Sequence, residues 1–198
     1  PPLLAQLAMG WQNCHVHGFA IESESYGTVM TDDFNFGEQR AKLLNSLWRV
    51  ALRIAYRAAL CYWFVFRPET RGVYVAVWWG SQVLLIKNSY KSKQTFPAGG
   101  VKRNECDIEA ALRELHEEVG LRLGQDDLSI GGRFVSRDEY KTDKSVLFEA
   151  HLNEEPSIDI DHREGVHAEF LELREACRRE LVPVVRQYLS SKSHQNAL

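Results

Sequence analysis

The sequence predicts an α+β fold: a mixed β-sheet packed between helices, preceded by an N-terminal helical extension. Three observations predict it. Two β-rich runs, GVYVAVWW at 72–79 and QVLLIK at 82–87, are separated only by Gly80-Ser81 and read as a hairpin. A helical apolar period follows over 107–119 and is closed by Gly120. Three further β-rich runs, 128–136, 145–152 and 167–173, precede a last helical stretch that begins near Arg174. Strands, helix, strands, helix in that order point to one sheet with helices on its faces.

Taken in order, residues 1–39 mix Gly, Ser, Asn and Asp with isolated apolar residues and show no period. Little fixed structure is expected there. A helical extension is expected over 40–66. Leu47, Val50, Ala51, Ile54, Ala58, Cys61 and Val65 share one face, and Arg49, Arg53 and Arg57 make a basic stripe on another. Arg67-Pro68 ends the element. Residues 42–66 are long enough to cross a bilayer, but each of the three arginines would cost about 2.5–3.5 kcal/mol at its centre, which argues against spanning. Trp48, Tyr56 and Trp63 keep a peripheral membrane contact as an alternative. It ranks below packing on the following domain or on a second copy of the chain in a homodimer. The main domain is expected over 67–190. Within it 88–100 reads as a loop and Pro183 as a kink or break in the last helix, and 191–198 reads as a loose tail.

Composition narrows the function. The chain is 44% hydrophobic and 26% charged, which suits a soluble globular protein. Its net charge of -3 gives no global basic field, so nucleic acid is not the expected partner. Cys14, Cys61, Cys106 and Cys177 are scattered, with no C-x-x-C pair, and read as reduced thiols of a cytoplasmic protein. The opening residues lack a basic region ahead of an apolar run, so no signal peptide is expected.

The informative stretch is GGVKRNECDIEAALRELHEEVGL, residues 99–121. Ile108, Ala111, Leu112, Leu115 and Val119 share the face that should meet the core. Glu114, Glu117 and Glu118 sit three and four apart on a face away from it. Like charges at that spacing cost a few tenths of a kcal/mol per pair. A solvated acidic face is the ordinary reading of such a cluster taken alone. Crowded carboxylate oxygens are also what a hard divalent cation requires.

The spacing decides between these readings. Gly99, Glu105, Arg113-Glu114-Leu115, Glu117-Glu118 and Gly120-Leu121 match every position of the Nudix box. At average composition that pattern arises on the order of once per billion starting points. The chain therefore resembles a Nudix hydrolase, and the resemblance extends loosely over 72–190. It implies an α/β/α sandwich whose loop-helix-loop box binds Mg²⁺ or Mn²⁺. The implied activity is hydrolysis of a phosphoanhydride in a small nucleotide substrate, a nucleoside diphosphate linked to a second group. By the same resemblance Glu114, Glu117, Glu118 and the carbonyl of Gly99 would be metal ligands. Glu114 is also a candidate base, Arg113 would orient a catalytic carboxylate, and Glu118 belongs with them in the catalytic set. Glu105 would be structural, in an ion pair within the box, and Gly120 would stop the helix. One more ligand is expected from HREGVHAEFLEL, and Glu164 takes that role. Two positions depart from the pattern: Ala98 replaces the usual glycine before the box, and Asn104 the one before Glu105. Asn tolerates left-handed backbone. Asn104 or Asp107 is expected to cap the helix, since Cys106 stands where Ser or Asp is common.

Substrate choice is less legible. Lys87 could touch phosphate, and Tyr140 lies near the place where dinucleoside polyphosphate hydrolases put a tyrosine. Trp78, Trp79, Phe134 and Tyr140 could stack on a base but are expected mainly to fill core or surface. Two other readings stay open: a Nudix fold kept as a ligand sensor or scaffold, and a pyrophosphohydrolase acting on RNA 5′ ends.

Overall fold

The computed structural model describes residues 31–160 and 165–195. The chain divides into two units, Pro1–Leu44 and Asn45–Leu198. The described residues of the first unit belong to helix α1, Thr31–Phe66, which continues into the second. The helix begins before the expected start: residues 31–39 show no apolar period, yet Thr31-Asp32-Asp33 is itself a helix-start signal. The rest of the expectation for 1–39 falls on residues outside those described.

The second unit carries the sheet. Strands β1 (Glu69–Trp79), β2 (Gln82–Asn88), β3 (Ala98–Gly100), β4 (Leu128–Ser136), β5 (Thr142–Leu152) and β6 (Gly165–Glu172) are joined through helices α2 (Asp107–Val119), α3 (Leu173–Ala176) and α4 (Pro183–Gln195). The order across the sheet is β4-β5-β1-β2-β6, with β3 paired to β1. β1 runs antiparallel to β2 and β3 and parallel to β5. The expected hairpin forms, with Gly80 at φ +59° in its turn and Trp79 opposite Gln82.

Alternation along the strands builds two cores. Val73, Val75 and Val77 of β1, with Leu84 and Ile86 of β2, face Ala110, Ala111, Leu115 and Val119 of α2. Ala76 and Trp78, with Val83 and Leu85, face Val184, Val185, Tyr188 and Leu189 of α4. Strands buried on both faces lose the polar alternation, which is why β1 and β2 read as continuous apolar runs. Ala110 is fully buried while Leu112 is only half-buried, so α2 does not turn quite the expected face inward.

The structure revises the sequence reading at three points. The 88–100 loop ends in a short strand, β3, held by Val73 opposite Gly99 and Tyr74 opposite Ala98. The last helical stretch is broken, not kinked: α3 ends at Ala176, and Pro183 opens α4, where its missing N–H removes no helical hydrogen bond. Helix α4 also continues through Gln195, past the expected loose tail's start at 191. Trp78 belongs to the core: its Nε1 donates to Tyr188 Oη at 2.9 Å. Trp78→Phe should lower stability by about 1–3 kcal/mol, because a buried hydroxyl loses its donor. The shift in urea midpoint at constant m-value measures this.

From Asn45 to Phe66, α1 packs on two loops of the same unit. Arg53 Nε donates to the Ser89 carbonyl at 3.1 Å. Tyr56 Oη donates to Glu139 Oε1 at 2.5 Å, and Lys141 Nζ stands 4.3 Å from the centre of the Trp63 ring. Burial alone would push the Glu139 carboxyl up, but Lys91, the Tyr56 hydroxyl and Lys141 outweigh it and hold it below the usual range. A carboxyl lowered in the folded state adds stability above its unfolded pKa of about 4.3, and that stability is lost as pH falls below it. The stability difference between wild type and Glu139→Gln should therefore be largest near neutrality and should shrink as pH drops below about 4. Denaturation midpoints across that range test it. Arg67, at φ +44°, ends the helix before Pro68.

Candidate functional site

The box folds around one guanidinium. Arg113 Nε donates to Glu105 Oε1 at 2.7 Å and Nη2 to Glu105 Oε2 at 3.0 Å, a two-pronged ion pair. Nη2 also reaches the Gly100 carbonyl at 3.0 Å. Nη1 donates to Glu114 Oε1 at 2.6 Å and Glu117 Oε2 at 3.1 Å. Helical spacing dictates the last pair, since positions 113 and 117 are one turn apart. The loop 101–106 bends Glu105 back onto the helix it precedes. Asn104 takes φ +64° there, as its tolerance for left-handed backbone allows, and the Lys102 N–H donates to Glu105 Oε2 at 2.8 Å.

The helix ends are closed differently from expectation at one end and as expected at the other. Neither Asn104 nor Asp107 caps the start. Glu109 reaches back to accept from the Cys106 N–H at 3.0 Å, so the third residue of the helix does the work. Asp107 instead pairs with Arg71 at 2.6 Å, tying the first turn to β1. At the other end Gly120 adopts φ +73° and donates its N–H to His116, and Leu121 packs into the core below.

The three glutamates are not equivalent. The Glu114 side chain is only 14% exposed, and burial pushes its carboxyl above the ordinary range despite the opposing Arg113 charge. Glu118 is half-buried, and its Oε2 accepts the Ala98 N–H at 2.8 Å, fixing the helix to β3. Glu117 lies at the rim, 46% exposed, with Lys102 Nζ at 3.9 Å. Gly99 meets the Glu114 carboxylate directly: a Cβ there would fall 2.0 Å from Glu114 Oε1, so an alanine cannot leave that carboxylate in place. Hydrogen bonding from Arg113 holds the Glu105 carboxyl below the ordinary range. Burial works against the Arg113 charge, but the Glu105 and Glu114 carboxylates outweigh it and keep the guanidinium charged.

The sheet adds two residues that sequence reasoning missed. A Cβ on Gly72 would lie 3.4 Å from both Asp143 Oδ2 and the Gly99 carbonyl oxygen, so the Asp143 carboxylate stands beside the box. Thr70 Oγ1 and Ser145 Oγ donate to it at 2.6 and 2.5 Å. Tyr74 lies in the field of Asp143 and Glu118, and burial first and these charges second push its hydroxyl far up. No local pattern marks either residue: the pairing of β1 with β3 sets Tyr74 opposite Ala98, and the parallel pairing of β1 with β5 brings in Asp143.

The other expected site residues lie elsewhere. Lys87 pairs with His167 and lines an open groove of about 430 Å³ with Ser92, Gln94, Glu169 and Arg179, whose walls include no box glutamate. Tyr140 is exposed and rests edge-on against Phe64 of α1 at 5.2 Å. Glu164 lies outside the described residues. Among the described residues, no three His, Cys, Asp or Glu side chains converge as they stand into a metal-holding group. The box carboxylates are turned instead to Arg113 and to the Ala98 N–H.

Known proteins share this fold. The model of the NUDIX domain matches residues 68–191. An RNA pyrophosphohydrolase of Halorhodospira halophila (strain DSM 244 / SL1) is 43% identical over 67 residues, 34% of this chain and 35% of that relative. The chain thus matches about a third of that relative's length. Among solved structures, the MutT protein of Methanosarcina mazei Go1 superposes with a TM-score of 0.57 at 19% identity, covering 67% of this chain and 99% of that one. A C. elegans Ap4A hydrolase superposes at 0.55 and 22% identity, covering 65% and 98%. At such identities these structures speak for the fold. The family match runs across the whole sheet, the box and the opening of α4, and the chain therefore belongs to the NUDIX domain family.

Proposed function

We propose that the chain is a divalent-metal-dependent hydrolase that cleaves the phosphoanhydride bond of nucleoside diphosphate derivatives by attack of water. One observation carries the reading: Arg113 gathers Glu105, Glu114 and Glu117 at one edge of β3, with Gly99 bare against the Glu114 carboxylate. The donor set fits Mg²⁺ or Mn²⁺, because Glu114, Glu117, Glu118 and the Gly99 carbonyl offer only hard oxygens. Glu164 is proposed as a further ligand. When bound, such a cation supplies positive charge against pyrophosphate oxygens that become more negative as the P–O bond breaks.

The protein groups do the rest. Glu114, buried and raised, is suited to accept the proton of the attacking water. Arg113 holds that carboxylate in position and Glu105 holds Arg113, so the base is oriented before substrate arrives. Glu118 bridges helix and strand through the Ala98 N–H and keeps the two sides of the site in register. Lys87 and Tyr140 remain proposals for substrate contact at the periphery.

Turnover of a panel with Mg²⁺ or Mn²⁺ tests the reading: ADP-ribose, NADH, sugar nucleotides, dinucleoside polyphosphates, nucleoside triphosphates and 5′-triphosphate RNA. Cleavage of at least one, dependent on the cation, supports it. Tight binding without cleavage across the panel supports a sensor instead. The likeness to an RNA pyrophosphohydrolase favours 5′-triphosphate RNA as a second reading, in which the same site removes pyrophosphate from an RNA end.

A further inference from the structure

Helix α1 docks by the face that sequence periodicity does not favour. The half-buried positions from Asn45 onward include Arg49, Leu52, Tyr56, Leu60 and Trp63. The apolar face points the other way, into solvent. Leu47, Val50, Ile54, Tyr62, Val65 and Phe66 are 48–69% exposed, and Trp48 is 42% exposed at the same face's border. With Ala51, Ala58 and Cys61 these residues leave no polar side chain on an arc of roughly 160° over five turns. Single exposed apolar residues are ordinary; a continuous face of this length is not.

Charge identifies what covers it. Residues 39–68 contain Arg40, Lys42, Arg49, Arg53, Arg57 and Arg67 and no Asp or Glu, in a chain whose net charge is -3. Two such helices laid together would set like charges against like. A helix seam also needs a narrower stripe than this arc. A planar apolar medium with an anionic surface satisfies both features: it takes the whole face and neutralises Arg57, the exposed arginine at its border. Aromatic side chains at the boundary, Trp48, Tyr62 and Phe66, suit the headgroup level. Among the described residues no helix is long and apolar enough to cross a membrane.

We propose that the exposed apolar face of α1 between Leu47 and Phe66 lies in the interface of an anionic lipid membrane, holding the Nudix domain at its surface. Two residues thought suited to that role from sequence do not take it. Tyr56 and Trp63 are engaged with Glu139 and Lys141 and fasten the helix to the domain. The loops that hold α1 are 89–93 and 137–141, and the second leads directly into Asp143 beside the box.

Co-sedimentation of the full chain with vesicles tests this at low ionic strength. The vesicles are phosphatidylcholine alone and phosphatidylcholine with a quarter phosphatidylglycerol. Retention is expected on the anionic vesicles and should weaken with added salt. Ile54→Asp with Val65→Asp should reduce it about tenfold or more. Arg57→Gln should reduce it about fivefold. Thermal melting should be unchanged in all three substitutions, which shows that the domain is intact. No retention on anionic vesicles overturns the proposal. So does retention that survives Ile54→Asp with Val65→Asp, which would be adsorption by charge alone. Sedimentation velocity without lipid supplies a third outcome: a dimer that these two substitutions convert to monomer, with no vesicle retention, assigns the face to a second copy.

Discussion

Glu118→Gln is expected to lower turnover of any responsive substrate by about 10²–10³-fold, the range for removing one charge-stabilising group from an active site. The substitution is chosen for what it keeps. Glutamine retains an oxygen that can accept the Ala98 N–H, so the junction of α2 with β3 should hold. What it loses is the negative charge, which is the part a cation and a phosphate-cleaving site would use. The paired measurement is kcat/KM against free Mg²⁺ together with a thermal melt. A large loss of kcat/KM at an unchanged Tm assigns Glu118 to the chemistry. Unchanged turnover would remove it from the site and leave it as a structural bridge.

The second large effect is on stability. Arg113→Ala should cost about 3–5 kcal/mol, because it strips the partner from carboxylates that are largely withdrawn from water. Glu105 and Glu114 are each only 14% exposed, and Arg113 is the cation both face. Arg113→Lys should recover part of the loss at most, since an ammonium cannot make the two-pronged bond to Glu105 while reaching Glu114 and the Gly100 carbonyl. The acid side provides a check on sign. Glu105 is lowered in the folded protein, so its contribution is present above an unfolded pKa of about 4.3 and disappears as pH falls below it. The Arg113→Ala penalty read from urea midpoints should accordingly narrow below about pH 4. A penalty that is flat with pH would mean that Arg113 stabilises by packing its stem, not by pairing its charge.

These two residues were legible in the sequence because the box is contiguous. A helix converts fixed spacing into fixed geometry, so Glu105, Arg113, Glu114 and Glu117 could be placed without knowing the rest of the fold. The strands were legible from composition and turn chemistry for the same local reason, with β4 at 128–136 as expected. Legibility fails where a residue owes its place to distant pairing. Asp143 reaches the box because β5 lies parallel to β1, and no motif announces that. Tyr140 rests edge-on against Phe64 of α1, a neighbour 76 residues away in the chain that no local pattern announces. Helix α1 shows a third kind of limit. Periodicity reveals that the helix has two unlike faces, but it cannot say which one docks. Here hydrogen bonds and a cation over an aromatic ring win the docking side, and the apolar side is left outward.

The pairing of β1 with β5 carries a consequence for how the protein is made. Every box residue lies between these two strands in the chain, and the strands meet across a large sequence gap: Thr70 and Asp143, bonded to each other, are 73 residues apart. Contacts of that range close slowly, because chain entropy is lost before they form. During synthesis the hairpin of β1 and β2 and the glutamate helix emerge well before β5, which pairs with β1 and brings Asp143 to the box. An isolated peptide of residues 99–121 would contain the whole box pattern but neither β1 beneath Gly99 nor Asp143 beside it. The site is thus a late product of the complete domain, and nascent chains that stop short of β5 should carry the motif without its geometry.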